Sequence, residues 1–275
     1  MIEPQGETLH VDTNGLRHRV LKYGTAGPSV VIVPGITSPA LTAEFLALEL
    51  HDDRQVYVPD LRGRGGTDVA APGEYSLDQY VGDIVGLVAA LGLTRPVVIG
   101  HSLGARIAAG YSVASDGDHD LLVLIDPPLS GPGRDPYPTD RDAFVRQLEE
   151  AYRGTNADEV RAFYPKWATR ELEIRAQELP TCDRAAVLET HARFHTEDFF
   201  ELWGKVHQPA VLFRGGVSPV VTERGADELR AARPDIPIVS IPEAGHMVPW
   251  DNWPAFRGEL RSALDSGSRD TDRSK

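Results

Sequence analysis

Short, unbroken apolar runs recur along the chain, separated by longer segments with helical spacing. The runs are Ser29–Val33 (SVVIV), Gln55–Val58 (QVYV), Pro96–Ile99 (PVVI), Leu121–Ile125 (LLVLI), Ala210–Phe213 (AVLF) and Pro237–Ile241 (PIVSI). Apolar stretches this short, bounded by turn residues, predict strands buried on both faces. Residues 1–25 instead predict two short strands around Asn14-Gly15, a dipeptide suited to a tight hairpin. From Ser76 to Leu91 the apolar positions Leu77, Tyr80, Val81, Ile84, Val85, Val88 and Leu91 follow a helical period with a broad buried stripe. Strands alternating with helices predict an α/β chain, a mostly parallel central sheet flanked by helices.

One stretch breaks the alternation. Residues 129–206 carry no buried-strand run. Helical patterns lie near Arg141–Arg153, Ala157–Leu179, Arg184–Phe194 and Glu197–Val206, behind an entry rich in proline and glycine (Pro127, Pro128, Gly131, Pro132, Pro136, Pro138). The expected organisation is a core of residues 1–128 and 207–265, a helical insertion over 129–206, and a flexible tail over 266–275 (SGSRDTDRSK).

Composition narrows the function. The 275 residues carry 28 Lys+Arg against 41 Asp+Glu, a net charge of −13. Such a chain is a poor partner for a phosphate backbone or an anionic membrane, so neither nucleic acid nor membrane is expected. A small-molecule substrate is expected instead. No apolar run reaches the ~18 residues of a membrane span. The opening MIEPQGETLH lacks a basic segment followed by an apolar one, and the expected address is the cytoplasm. Cys182, the single cysteine, excludes an intramolecular disulfide and reads as a structural thiol. Without a phosphate-binding glycine loop, a dinucleotide fingerprint or clustered metal ligands, no cofactor and no metal are expected.

The chemistry is carried by Gly100-His101-Ser102-Leu103-Gly104, which follows the run Pro96–Ile99 and precedes the helical stretch ARIAAGYSVA. A G-x-S-x-G between strand and helix is a nucleophile elbow: the sharp turn lifts the Ser102 hydroxyl above the sheet, at the positive end of a helix. A serine needs a base, and in elbows of this kind the order is Ser, acid, His. His246, on the loop after PIVSI, is the expected base. The usual place for the acid, after Ala210–Phe213, holds Ser218, which cannot balance an imidazolium by charge. Asp126, first after LLVLI, is the expected acid, with Glu223 and Asp227 as alternatives. Two backbone N–H groups must meet the oxyanion: Leu103, after the nucleophile, and Ile36 in Pro34-Gly35-Ile36-Thr37-Ser38, where Gly35 permits close approach. His101 is expected to pack beneath the elbow.

Together these residues resemble the α/β-hydrolase superfamily over nearly the whole chain. Asp60-Leu61-Arg62-Gly63-Arg64-Gly65 is similar to its D-x-R-G-x-G turn, and the insertion is similar to its helical cap. Five blocks in order resemble more closely the bacterial N-formylmaleamate deformylases of nicotinate degradation: Val33–Ala40 (VPGITSPA), Arg62–Gly65 (RGRG), Gly100–Arg106 (GHSLGAR), Asp126–Arg134 (DPPLSGPGR) and Ala244–Asp251 (AGHMVPWD). That resemblance implies an acid at Asp126 and hydrolysis of the carbon–nitrogen bond of a small acidic amide through an acyl-enzyme on Ser102. A carboxylesterase, a lactonase and a carbon–carbon bond hydrolase need the same machinery and stay as alternatives, followed by a ligand-binding receptor. An acidic substrate needs a cation. Arg106, four residues past Ser102, is a candidate against an internal ion pair. Arg62, Arg64, Arg214, Lys166 and Arg193 are further candidates, the first two against anchoring their own turn. Gly35, Thr37 and Trp250 are candidate substrate contacts, Trp250 against packing the loop that carries His246.

Overall fold

The computed structural model describes residues 1–272, with side chains through residue 266. Its sheet has eight strands in the order β1-β2-β4-β3-β5-β6-β7-β8. They are β1 (Glu7–Thr13), β2 (Leu16–Tyr23), β3 (Ser29–Val33), β4 (Gln55–Pro59), β5 (Val97–His101), β6 (Leu121–Ile125), β7 (Ala210–Gly215) and β8 (Ile238–Ile241). The β1–β2 hairpin turns at Asn14 and Gly15, both with positive φ, and β2 pairs antiparallel with β4; strands β3 to β8 run parallel to one another.

The continuous apolar runs have a physical reason. On β6, Leu122 and Leu124 face one apolar cluster, and Leu121, Val123 and Ile125 face the other. The first layer includes α2 (Leu77–Ala90) and α3 (Leu103–Ala114), and the second includes α1 (Glu44–Leu50) and α11 (Trp253–Asp272). Each fully buried Leu, Ile or Val is worth roughly 1.5–3 kcal/mol, so shifting a strand by one residue would lose several such contacts at once.

Between β6 and β7 the chain forms α4 (Arg141–Arg153), α5 (Ala157–Arg161), α6 (Thr169–Glu178), α7 (Arg184–Arg193) and α8 (Phe199–Trp203). Phe144, Leu148, Val187, Phe199 and Trp203 from these helices, with Phe194 just past α7, join the cluster that also holds α2 and α3. Helix α9 (Glu223–Ala232) follows β7, and the short α10 (Val248–Asp251) precedes α11. No described helix is long and apolar enough to cross a membrane.

One expectation needs correction, and a second falls partly outside the described residues. The helix expected over Ala157–Leu179 is divided into α5 and α6, because Pro165 disfavours helical backbone at Tyr164 and cannot donate a helical N–H. The flexible tail expected over 266–275 is helical through Asp272 as part of α11, and residues 273–275 lie outside the described residues. Phe256, Leu260 and Leu264 anchor the start of that helix in the core, and propagation beyond an anchored turn needs only one more fixed residue per hydrogen bond.

Candidate active site

Strand β5 ends at His101 and α3 begins at Leu103, so Ser102 alone makes the reversal. It does so at φ +56° and ψ −117°, a left-handed conformation that costs free energy and persists because its surroundings fix it. The Ser102 amide donates to the Ile125 carbonyl (2.8 Å), tying the elbow to the end of β6. A side chain at Gly100 would overlap the Gly104 carbonyl, and one at Gly104 would overlap the Val33 carbonyl. The two glycines let α3 sit directly on the strand ends, with Ser102 only 2% exposed.

His246 lies on the loop between β8 and α10. Its Nε2 is 2.9 Å from Ser102 Oγ, and its Nδ1 is 2.7 Å from Asp126 Oδ2. Asp126, directly after β6 and also at positive φ (+48°), is fully buried. It accepts from the Gly215 amide at Oδ1 (3.2 Å) and from the Ser218 hydroxyl at Oδ2 (2.5 Å). The carboxylate after β6 and the serine after β7 therefore converge, because those strands are neighbours. Glu223 and Asp227, the alternative acids, are exposed on α9 and paired with arginines (Arg214 and Arg230 for Glu223, Arg230 for Asp227).

His101 packs beneath this line. Burial lowers its pKa from 6.5 to about 3, so it is neutral at working pH. With Nδ1 unpartnered and buried, Nε2–H donates to the His246 carbonyl (2.9 Å). This bond, and ring contact with both His246 and Trp250, holds the histidine loop from below.

The loop after β3 runs alongside the elbow: a Cβ on Gly35 would stand 3.5 Å from that of Ser102. The amides of Ile36 and Leu103 have no acceptor among the described residues, although both residues are buried. Buried N–H groups without a partner are rare, and two beside one serine are suited to a developing negative charge. Arginines fix the loop from both sides. Arg64 Nε donates to the Ile36 carbonyl (3.0 Å), while Arg175 of α6 donates to the carbonyl and hydroxyl of Thr37.

Of the two readings of Arg106, substrate ligand or internal partner, its surroundings favour the internal one. It is fully buried, with Nε donating to the Pro128 carbonyl (2.9 Å) and Nη2 to that of Ser130 (2.5 Å), between the rings of Phe194 and Phe199. Desolvation lowers its pKa to about 10. Its neighbours are carbonyls and aromatic faces, so it joins α3 to the first residues after β6. Arg106→Met should cost about 2–4 kcal/mol in urea unfolding, with KM for charged and neutral substrates moving alike.

Arg62 pairs with Asp83 (2.6 Å), Arg214 pairs with Glu223, and Lys166 donates to the Glu243 carbonyl (2.9 Å). Trp250 stacks on Trp167 (5.5 Å, 23°) and meets Phe45 edge-on (5.1 Å), a seam between the histidine loop and the segment after β6. Cys182 is buried, and desolvation raises its thiol pKa to about 12. Among the described residues no group of three or more His, Cys, Asp or Glu could hold a metal ion.

Two residues at the site were not singled out from the sequence. Arg175 lies 138 positions from Thr37 and carried no local signal. Tyr137, between Pro136 and Pro138, places its hydroxyl 3.3 Å from His246 Nε2. A cavity of about 690 Å³ lies among α4, α5 and α6, and its lining includes Arg146, Arg153, Tyr164 and Arg175.

Residues 30–259 match the model of the alpha/beta hydrolase family. The chain is 38% identical over 256 residues to N-formylmaleamate deformylase of Pseudomonas putida, covering 93% of this chain and 96% of that one. It is 28% identical over 251 residues to 2-(acetamidomethylene)succinate hydrolase of Mesorhizobium japonicum, covering 86% and 88%. The crystal structure of an N-formylmaleamic acid deformylase from Pseudomonas putida S16 superposes with a TM-score of 0.86 at 35% identity, covering 92% of this chain and all of that one.

Proposed function

The chain belongs to the alpha/beta hydrolase family, and from that premise we propose that it hydrolyses the carbon–nitrogen bond of a small anionic amide of the N-formylmaleamate type. The hydrogen-bonded line Ser102–His246–Asp126 beside two unpartnered buried amides is the observation that carries this reading. Ser102 Oγ attacks the formyl carbon and its proton passes to His246 Nε2. Asp126 holds Nδ1–H, which keeps the Nε2 lone pair toward the serine and stabilises the imidazolium. The oxyanion is met by the Ile36 and Leu103 amides. The carbon–nitrogen bond breaks, the nitrogen leaves with a proton, and water, deprotonated by His246, releases formate from Oγ.

Identity of 38% over 93% of the chain supports the substrate class. An anionic substrate is supported by Arg175, which grips the oxyanion loop at Thr37 and also lines the cavity among α4, α5 and α6, where Arg146 and Arg153 stand beside Glu150 and Glu159. The segment 129–206 is the cap in this reading and selects the substrate. We place the enzyme in the cytoplasm, on the strength of one buried, unpaired thiol.

The test is formate release from N-formylmaleamate by the purified protein, with Ser102→Ala as the control. Release that the control loses is expected. No release from a protein whose Ser102 is still labelled by a fluorophosphonate would overturn the substrate class and leave the machinery standing. Fast ester or lactone turnover without amide turnover would move the chain to the esterase reading.

A further inference from the structure

Beside the nucleophile and its base stands a tyrosine hydroxyl. Tyr137 sits on the segment between β6 and α4, its backbone restricted by Pro136 and Pro138. Its ring is enclosed by Phe144 (6.4 Å, stacked), Phe194 (5.1 Å) and His191 (6.2 Å), and the residue is 7% exposed. His191, which burial keeps below the usual histidine pKa, fixes the same segment by donating Nε2–H to the Thr139 carbonyl (2.9 Å). The phenol thus has a set position, 3.3 Å from His246 Nε2, which is itself 2.9 Å from Ser102 Oγ. Burial also raises its pKa, so it is a donor and not a base.

This placement bears on the step that separates amides from activated esters. When the tetrahedral intermediate collapses, a nitrogen cannot leave as a free anion, whereas phenolates and fluoride can. The proton lies on His246 Nε2, which has just received it from Ser102 Oγ. A hydroxyl in hydrogen-bond reach of that Nε2, which is itself 2.9 Å from Oγ, stands beside a nitrogen attached to the carbon on Oγ.

We propose that Tyr137 is a catalytic residue that relays this proton: its O–H goes to the leaving nitrogen as His246 Nε2–H moves to its oxygen. One N–H bond forms on the leaving group, the carbon–nitrogen bond breaks, the phenol is restored and His246 returns neutral. The inference deepens the amide reading above and rests on it.

Tyr137→Phe keeps the ring and removes the relay. Formate release from N-formylmaleamate should fall about 10²-fold or more, the range for a positioned general acid. Labelling of Ser102 by diisopropyl fluorophosphate expels fluoride and needs nucleophile and base alone, so its rate should stay within about threefold. Parallel loss of both would overturn the relay and make Tyr137 a positioning residue for His246. Unchanged formate release would overturn it outright. A wild-type protein that takes the label and releases no formate would fail the amide reading itself, and the relay with it. Thermal unfolding of the variant, compared with wild type, separates a folding defect from all of these.

Discussion

Asp126→Asn should lower kcat by about 10⁴, because the substituted amide selects the wrong histidine tautomer. The selection follows from which neighbours can turn. Gly215 presents a backbone N–H to Oδ1, and that donor is fixed by the sheet. Asparagine must therefore place its oxygen there, which puts its NH₂ in the Oδ2 position. His246 Nδ1 faces that position, and so does the Ser218 hydroxyl, which can rotate to accept. The NH₂ then donates to Nδ1, the ring proton moves to Nε2, and Nε2 can no longer take the proton of Ser102. Asparagine tolerates the positive φ of this position, so the fold should be kept. Ser218→Ala removes one donor from Asp126 and leaves its charge and its Gly215 bond. It should cost no more than about tenfold, or 1.4 kcal/mol. Glu223→Ala should leave kcat unchanged within about twofold, since Glu223 is exposed and paired with Arg214 and Arg230. Steady-state kinetics on the three variants decides the matter: a crippled Glu223→Ala beside an active Asp126→Asn would overturn the assignment.

The strand positions were legible because both sheet faces are buried, which turns each parallel strand into an unbroken apolar word. Ser102 and His246 were legible because the elbow and the last loop have fixed places in the chain order. The acid needed a choice, and the structure explains why there was one: the ends of β6 and β7 adjoin, so Asp126 and Ser218 meet at one point. For Arg106 the sequence left two readings, substrate ligand or internal partner, and it held a reason to prefer the second. ARIAAGYSVA has small or apolar residues around its whole circumference, and a cation on a fully enclosed helix must find carbonyls, not substrate. Arg175 and Tyr137 were beyond reach. Both act across more than a hundred residues of separation, from segments whose path over the sheet depends on packing that no local pattern encodes. The histidine loop is a middle case: AGHMVPWD marked Trp250 and Asp251, but only the fold reveals that Trp250 stacks on Trp167 and that Asp251 accepts from the Gly245 amide (2.9 Å).

Ser102→Ala should lower turnover by on the order of 10⁶, and the size of that loss distinguishes two mechanisms. In the covalent route, Oγ is the atom that bonds to carbon, and its removal leaves only the oxyanion amides and substrate binding to act on a solvent water. In a general-base route, His246 would deprotonate water directly and Ser102 would be a bystander beside Nε2. Alanine would then make room for that water, and the loss would be about tenfold at most. Folding should not confuse the comparison, since the Ser102 side chain makes no cap bond to α3, and the left-handed backbone is set by the Ile125 carbonyl and the two glycines. The variant should still bind substrate with a Kd near the wild-type KM, because the change removes one oxygen and leaves the Ile36 and Leu103 amides in place. Single-turnover formate release and equilibrium binding on the same preparation separate the two routes. Residual turnover above about one part in a hundred with binding intact would remove the acyl-enzyme, and with it the need for a proton on the leaving nitrogen to come from Ser102.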